Sequence, residues 1–194
     1  MDTALLRLLD DLSAFGEAND ARETARPRLM LNITPDTGRL LWILVRLARP
    51  QRILEVGTSN AYSTIWLADA ARAVGARVVT LEVNPDKARL ARQNLARAGV
   101  ADVVEIVEGP AQEALARLSG PFEIVFLDAD RASYLGYVEA VLPKMPAEAL
   151  LVADNVISHA GVLADYLARV KSHPDLFSVT LPVGKGEEVS FKLR

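Results

Sequence analysis

The sequence contains no cysteine, so disulfide bonds, thiolate metal sites and cysteine nucleophiles are all excluded. It also has no excess of positive charge: the formal net charge is -3 and the isoelectric point is near 5.5. That balance disfavours nucleic acids and anionic membranes, which need a broad basic surface. No apolar run approaches the roughly 18 residues of a membrane span, and the N-terminal segment carries acids where a signal peptide needs positive charge. We therefore expect a cytoplasmic protein whose partner is a small molecule.

What the sequence does contain is enough apolar residues for one large core. The chain has 194 residues, 51% of them hydrophobic, which suits one compact domain better than two. An apolar stripe at helical spacing, built on Leu5, Leu8, Leu9 and Leu12, carries no reactive group. We expect a single domain over residues 1–194, in which residues 1–33 form a helical cap that covers the site or packs against a second subunit.

Helical and strand-like segments alternate along the rest of the chain. In TPDTGRLLWILVRLARP, Thr34 is a natural N-cap, Pro35 suits the first helical position and Pro50 ends the helix. Strands are predicted for the apolar runs at residues 52–56, 77–83, 103–107, 122–127 and 148–153. Helices are predicted at residues 3–16, 34–50, 62–74, 85–98, 110–118, 131–142 and 159–171. Strands that are apolar on both faces and alternate with helices indicate a mostly parallel sheet covered on both sides, and the tail FSVTLPVGKGEEVSFKLR is typical of a terminal β-hairpin.

The loop after the first predicted strand is bare of large side chains. Gly57 permits a sharp turn, but Ser59 and Ala61 stand where a dinucleotide fingerprint has further glycines, so close pyrophosphate binding is disfavoured. Glu82 ends the second strand, where a carboxylate can accept hydrogen bonds from both ribose hydroxyls. A plain turn at Gly57 and a helix-capping role for Glu82 are the alternatives. Together the two features favour a nucleoside ligand without a pyrophosphate.

Acidic and amide side chains follow two later strands. Because ligands of parallel α/β sheets bind at the carboxyl ends of the strands, Asp128, Asp154 and Asn155 are expected at one edge. Three oxygen donors of this kind suit Mg²⁺, Mn²⁺ or Ca²⁺ better than zinc. The alternative is that these residues only cap the following helices, as we expect for Asp130.

Five segments carry a family resemblance, namely RILEVGTSNAYSTIWLA, VVTLEVNPDKARLARQNLARAG, VEGPAQEAL, FEIVFLDADRASY and LLVADNVISHAG. In their order they resemble the metal-dependent, S-adenosylmethionine-using O-methyltransferases of the catechol and caffeoyl-CoA type. The resemblance covers the chain from about residue 30 to its C-terminus. It implies an α/β fold: a Rossmann-like, seven-stranded, mostly parallel sheet with helices on both faces and an antiparallel last strand at residues 188–193.

The resemblance also implies roles for individual residues. The methionine part of the cofactor would contact the loop after the first strand, its ribose Glu82, and its adenine the Gly109 turn. The complete implied cofactor set is Met30, Glu55, Gly57, Thr58, Tyr62, Ser63, Glu82, Val83, Gly109, Pro110, Ala111, Asp128 and Asp130. The implied ligands of a divalent cation, Mg²⁺ first, are Asp128, Asp154 and Asn155, and the implied catalytic residues are Asp128 and Arg131. The acceptor would be a small hydroxylated molecule, a vicinal-diol phenol by preference, and the assembly a homodimer.

Two positions depart from the family pattern. Ala61 stands where glycine is usual, so its methyl group would either crowd the cofactor or require a small shift of the loop. Arg131 stands where the family has a lysine thought to take the acceptor proton, and a guanidinium with a pKa above about 12 cannot act as that base. We expect the metal to supply most of the activation, and Arg131 to supply positive potential beside the developing oxyanion.

Several alternatives stay open on the sequence alone. A nicotinamide-dependent oxidoreductase would share the sheet but would need the glycine-rich loop that is missing here. A cofactor-binding module without turnover would account for Ala61 and Arg131. His159 is predicted as a surface residue at a helix start, with substrate contact as the alternative. Lys185, in the terminal hairpin where relatives often carry an acid, is assigned to substrate access or to a dimer contact.

Overall fold

The computed structural model describes residues 1–194 and contains one seven-stranded sheet with the strand order β3-β2-β1-β4-β5-β7-β6. The strands are β1 (Arg52–Val56), β2 (Arg77–Glu82), β3 (Val104–Glu108), β4 (Ile124–Leu127), β5 (Leu150–Ala153), β6 (Leu176–Leu181) and β7 (Glu187–Lys192). The first five strands are parallel to one another, and β7 pairs antiparallel with both β5 and β6. The predicted fold class is confirmed, including the terminal hairpin and its antiparallel last strand.

Helices cover both faces of this sheet. They are α1 (Thr3–Asp20), α2 (Pro35–Ala48), α3 (Tyr62–Val74), α4 (Pro85–Arg97), α5 (Ala111–Arg117), α6 (Tyr134–Val141) and α7 (Ala164–Ser172). Alternate strand residues feed two separate cores, because side chains along a strand point to opposite faces. Ile53 belongs to the core formed with α1, α2, α3 and α4, whereas Leu54 belongs to the core formed with α5, α6 and α7. None of the helices combines the length and the apolar character that a bilayer span requires.

Two helix boundaries differ most from those predicted, by four and five residues. Helix α1 continues through Gly16 to Asp20, because Gly16 is not a terminator here: a Cβ at this position would clash with the side chain of Asn32, so the glycine permits close packing. Helix α7 begins at Ala164 instead of residue 159. The intervening loop is held by the terminal hairpin, with the amide of Val156 donating to the carbonyl of Gly186 across 3.0 Å.

The sheet register brings the candidate residues to one edge. Glu82 lies opposite Glu108, and Leu127 lies opposite both Val56 and Ala153. The loops that follow these strand ends therefore begin at the same level along the strands, at the carboxyl edge of the sheet. This geometry assembles the site described next.

Candidate active site

A cavity of about 540 Å³ opens at the carboxyl edge of the parallel strands. Its walls come from the loops that follow β1, β2, β3 and β4 and from the segment before α2. Most of the residues that the sequence assigns to the cofactor line it, namely Met30, Gly57, Thr58, Tyr62, Ser63, Glu82, Val83, Gly109, Pro110, Ala111, Asp128 and Asp130. Arg131 lines the same cavity. A nucleoside with an amino-acid tail is within the size of ligand that a pocket of this volume takes.

The loop after β1 needs glycine at its first position for a steric reason. Gly57 has φ of 109°, and a Cβ there would clash with the carbonyl oxygen of Asp128. The amides of Gly57 and Thr58 both donate to the carbonyl of Leu81, each across 3.1 Å. The loop is thus pressed between the ends of β2 and β4, and its bare backbone forms one wall of the cavity.

Glu55 is the one predicted cofactor residue that does not line the cavity. Its carboxyl group is fully buried and accepts hydrogen bonds from the hydroxyls of Ser63, Thr64 and Thr80 at 2.5, 2.5 and 2.6 Å. Burial raises the pKa of Glu55 to about 7, and the three hydroxyl donors oppose that rise. This carboxyl group ties the start of α3 to β2, so any effect on the cofactor passes through the position of the loop.

The carboxylate of Glu82 lines the cavity and is held in place by two backbone amides. Its Oε2 accepts from the amide of Ser59 at 2.7 Å, and its Oε1 accepts from the amide of Asn84 at 2.8 Å. The residue is only 7% exposed, yet it lines the cavity wall. Each carboxylate oxygen has a second lone pair for a ligand hydroxyl, so the group can accept two further hydrogen bonds.

Asp128, Asp154 and Asn155, the predicted metal ligands, lie together at the ends of β4 and β5. Asn155 Nδ2 donates to Asp128 Oδ1 at 3.1 Å, and the amide of Asn155 donates to Asp154 Oδ1 at 2.6 Å. Only Asp128 lines the cavity, whereas Asp154 and Asn155 are 1% exposed behind it. Burial and the neighbouring Asp154 raise the pKa of Asp128 to about 8, and burial raises that of Asp154. Two carboxyl groups so close and so poorly solvated favour a bound cation or a bound proton.

Glu187 is a third acidic residue at this edge, and no sequence pattern indicated it. It is fully buried at the start of β7, where its Oε1 accepts from Thr37 Oγ1 at 2.8 Å and its Oε2 is buried without a hydrogen-bond partner. Burial and the charge of Asp154 raise the pKa of Glu187 to about 10. A pair of adjacent acids in a hairpin is usually solvated, which is why sequence reasoning passed over it.

Two cationic side chains lie beside the acidic group. Arg131 Nη2 donates to Asn155 Oδ1 at 3.0 Å, and its Nε is buried without a partner. Lys185 Nζ donates to the carbonyl of Asn32 at 3.2 Å. Both cations lower the pKa of Asp128 and of Asp154 against the effect of burial.

Comparison with known proteins identifies the family. Residues 16–180 match the family model described as O-methyltransferase. The catechol O-methyltransferase of Mycobacterium tuberculosis is 42% identical over 166 residues, which are 85% of this chain and 73% of that protein. The catechol O-methyltransferase of Niastella koreensis is 37% identical over 158 residues, which are 79% of this chain and 70% of that protein. The chain belongs to the O-methyltransferase family.

Solved structures agree with this assignment and identify the methyl donor. The O-methyltransferase from Bacillus cereus, in complex with S-adenosylhomocysteine, aligns over 96% of this chain and 90% of its own, with 28% identity and a TM-score of 0.82. TomG from Streptomyces achromogenes, in complex with S-adenosylmethionine, aligns over 100% and 91%, with 27% identity and a TM-score of 0.82. The protein is an S-adenosylmethionine-dependent O-methyltransferase. The predicted family and enzyme class are confirmed, and the oxidoreductase alternative is set aside.

The segment of residues 27–31, of which the sequence revealed only Met30 as part of the site, also lines the cavity of the methyltransferase and is called the strap below. The amides of Met30 and Leu31 donate to the carboxylate of Asp20 at 2.7 and 2.8 Å, and Ser59 Oγ donates to the carbonyl of Met30 at 2.6 Å. Asn84 Nδ2 donates to the carbonyl of Pro27 at 3.1 Å. The segment is therefore fixed from α1, from the loop after β1 and from the N-cap of α4. Polar residues scattered over such distant segments leave no local signal.

Lys87 was likewise missed as a cavity residue of the methyltransferase. It lies in the first turns of α4, where a lysine normally faces solvent, but here it lines the cavity. Burial lowers the pKa of Lys87, and the nearby Glu82 opposes that effect. The position therefore places a positive group close to the Glu82 carboxylate in the cavity wall.

Proposed function

We propose that this methyltransferase moves the methyl group of S-adenosylmethionine to a hydroxyl of a small vicinal-diol phenol held by a divalent cation. The observation that carries the proposal is the meeting of Asp128, Asp154 and Asn155 beside the cofactor cavity. The two curated relatives named catechol O-methyltransferase support a diol acceptor. Mg²⁺ is the first choice, with Mn²⁺ and Ca²⁺ as alternatives, because all three favour oxygen donors.

The cavity walls fit the cofactor part by part. The carboxylate of Glu82 would accept from the two ribose hydroxyls, and Gly109, Pro110 and Ala111 would lie against the adenine. The methionine tail would lie along the loop after β1, with Met30 covering it from the strap. Asp130 lines the same cavity, where a carboxylate suits a cofactor with a positive sulfur.

The predicted ligand set fits a hard cation through its donor chemistry. It offers two carboxylates and an amide oxygen, and each carboxylate accepts a hydrogen bond from Asn155. No group of three or more His, Cys, Asp or Glu side chains is arranged for a metal ion, so the set depends on the Asn155 amide. That oxygen now accepts from Arg131, which would have to release it.

The chain's own part in the reaction is chiefly positioning. Bound at Asp128, Asp154 and Asn155, the cation would hold the acceptor diol and lower the pKa of the attacking hydroxyl. The residues of the β1 loop and Glu82 would hold the sulfonium so that the acceptor oxygen lies in line with its methyl group. The oxygen–carbon bond forms as the carbon–sulfur bond breaks, and the electron pair of that bond stays on sulfur. Arg131 would supply positive potential near the developing oxyanion.

The test is methylation of a panel of vicinal-diol phenols with labelled S-adenosylmethionine and Mg²⁺. We expect methylated product from at least one diol, lost on chelation of Mg²⁺ and in Asp154→Ala. Binding of S-adenosylhomocysteine should persist in that variant, because Asp154 does not line the cavity. The exposed Asp165 of α7 provides a matched control in Asp165→Ala. Full activity of Asp154→Ala in chelator would contradict the metal role, and cofactor binding without any product would favour a module that has lost turnover.

We also propose that the protein is a homodimer. The outer strand β6 exposes Phe177 at 73% and Val179 at 51%, and Phe191 of β7 lies directly opposite Phe177. An apolar face on an edge strand is a common site of self-association. Sedimentation velocity should give a dimer that Phe177→Lys converts to a monomer; a monomeric wild-type protein would contradict the proposal. A cytoplasmic location and the lack of nucleic-acid or membrane partners stay predictions.

A further inference from the structure

Two residues, Ser59 and Asn84, bind the carboxylate of Glu82 and the strap at the same time, and are called the clamp residues. The amide of Ser59 donates to Glu82 Oε2 at 2.7 Å, and its Oγ donates to the carbonyl of Met30 at 2.6 Å. The amide of Asn84 donates to Glu82 Oε1 at 2.8 Å, and its Nδ2 donates to the carbonyl of Pro27 at 3.1 Å. Each oxygen of the carboxylate is therefore bonded to a residue that also holds the strap.

The strap has few other attachments to the protein. Its backbone–backbone hydrogen bonds are two local ones, donated by the amides of Arg28 and Leu29 within the preceding turn. Its remaining hydrogen bonds all involve side chains, which come from the end of α1, from the loop after β1 and from the N-cap of α4. No strand ladder anchors the segment, so the strap can open when a few side-chain hydrogen bonds break.

The closed strap is held against backbone strain. Ser59 has φ of 49° and Leu31 has φ of 54°, which are left-handed conformations that are costly for residues with a Cβ. Such conformations persist where surrounding contacts impose them, and they cluster at ligand sites. Ser59 is held by its two hydrogen bonds, and Leu31 by the bond from its amide to Asp20. Loss of a holding bond should therefore favour an open strap.

Asn84 is fixed in its orientation by helix α4. Its Oδ1 accepts from the amides of Asp86 and Lys87 at 2.9 and 3.4 Å, as the N-cap of that helix. Because the helix uses the oxygen, the nitrogen is the atom left for the strap. Both clamp residues also line the cavity, as Glu82 does. A ligand that bonds to Glu82 therefore meets a carboxylate whose position depends on both of them.

We propose that Ser59 and Asn84 are positioning residues that couple the binding of the cofactor's ribose at Glu82 to closure of the strap over the cofactor. The inference rests on the proposed placement of the ribose. Such coupling is reciprocal, so the cofactor favours closure by the same factor by which closure strengthens the binding of the cofactor. Removal of the clamp bonds should reduce that factor.

Hydrogen exchange at the amides of Met30 and Leu31 measures opening of the strap, because both amides are bonded to Asp20 when it is closed. In wild type, saturating S-adenosylhomocysteine should slow this exchange at least about tenfold, which is within the usual range of coupling between sites. Ser59→Ala and Asn84→Ser should each reduce this ratio, and the double variant should bring it below about twofold. Calorimetry should show weaker binding of S-adenosylhomocysteine by roughly 2–10-fold for each single variant, as for the loss of one neutral hydrogen bond.

Each variant removes the bond to the strap and keeps the other functions of the residue. Ser59→Ala keeps the amide that donates to Glu82, and Asn84→Ser keeps an N-cap oxygen for α4. Ser172→Ala is the matched control, because it removes a hydroxyl that donates to the carbonyl of Arg169 on exposed α7. The control should leave both the exchange ratio and the affinity unchanged.

The ratio of exchange rates separates coupling from a structural role. Variants that speed exchange equally with and without S-adenosylhomocysteine would overturn the inference, since the clamp residues would then only stabilise the strap. A wild-type ratio in the double variant would overturn it as well, because the cofactor would then hold the strap without them. Glu82→Gln with wild-type affinity for S-adenosylhomocysteine would overturn the ribose placement and this inference together. Failure to methylate any diol would overturn the proposed acceptor and leave the inference standing.

Discussion

The guanidinium of Arg131 donates from Nη2 to Oδ1 of Asn155 across 3.0 Å. That oxygen is the one that Asn155 would offer to a metal ion, so the arginine and the cation compete for it. The guanidinium and a cation bound at Asn155 would also repel each other. Under the proposed mechanism, Arg131 would therefore weaken the binding of the metal while it supplied positive potential to the acceptor oxygen.

This competition gives opposite expectations for binding and rate in Arg131→Ala. Removal of the guanidinium frees Asn155 Oδ1 and takes away a positive charge that would repel the cation. The affinity for Mg²⁺ should therefore rise about tenfold, or about 1.4 kcal/mol. The methyl-transfer rate at saturating Mg²⁺ should fall, because the oxyanion loses its positive neighbour. Calorimetric titration with Mg²⁺ and steady-state kinetics measure the two effects. Arg169→Ala, on the exposed face of α7, is the control. Weaker Mg²⁺ binding or full activity in Arg131→Ala would contradict the role assigned to Arg131.

Glu82 provides a test of the ribose contact. Glu82→Gln keeps the size of the side chain but removes its charge and one acceptor oxygen. A hydrogen bond to a charged group contributes roughly 1.5–3 kcal/mol, so S-adenosylhomocysteine should bind about 10–100-fold more weakly. Glu108→Gln is the matched control, because Glu108 pairs with Glu82 across the sheet but bonds to Arg92 outside the cavity. Equal affinities for the two variants would remove Glu82 from the cofactor site.

Glu55 predicts a pH dependence of stability. Its pKa is raised from 4.5 to about 7 in the folded protein, so between these values the folded state holds a proton that the unfolded state has lost. Stability from this residue is therefore present below about pH 4.5 and declines as the pH rises to about 7, by roughly 1.4 kcal/mol per pH unit and about 3 kcal/mol in total. Above that range the loss is constant.

Glu55→Gln should remove that decline, because the amide does not titrate. We expect the free energy of unfolding of the variant, relative to wild type, to increase between pH 4.5 and 7 in urea titrations. Glu113→Gln, on the exposed surface of α5, controls for a general effect of lost charge. Parallel pH profiles for wild type and Glu55→Gln would show that the buried carboxyl group does not titrate in this range.

The positions of the site residues on strand ends follow from sequence periodicity. Once β4 and β5 are recognised as neighbouring parallel strands, Asp128 and Asp154 are expected to follow them at the same edge of the sheet. The structure agrees, because Leu127, just before Asp128, pairs with Ala153, just before Asp154. Glu82 follows by the same argument from β2. These predictions need only the alternation of apolar runs and helices.

The residues that sequence reasoning missed depend on contacts between distant segments. Glu187 reaches Asp154 because β7 inserts antiparallel between β5 and β6, with Ala153 opposite Glu188. Nothing in a hairpin sequence specifies which strand it will pair with. Lys87 and Asp20 were missed for a related reason, since Lys87 faces a cavity lined by distant segments and Asp20 accepts from the amides of Met30 and Leu31.

Ala61 gives a prediction whose sign depends on backbone conformation. It is the N-cap of α3, with φ of 68° and ψ of 23°, a left-handed conformation that costs a residue with a Cβ roughly 1–2 kcal/mol. Ala61→Gly relieves this strain but adds roughly 0.4–1 kcal/mol of backbone entropy to the unfolded chain. We expect a small net stabilisation, on the order of 0.5 kcal/mol, measured by urea unfolding.

The same substitution within α3 should act in the opposite direction. Ala68 is also fully buried but lies in the right-handed interior of the helix, where Ala68→Gly should destabilise by about 1 kcal/mol or more. Because Ala61 does not line the cavity, we expect its methyl group to stay clear of the cofactor, and Ala61→Gly should bind S-adenosylhomocysteine within about twofold of wild type. Tighter binding by tenfold would mean that the methyl group crowds the cofactor after all. Destabilisation equal to that of Ala68→Gly would mean that Ala61 is not strained in the folded protein.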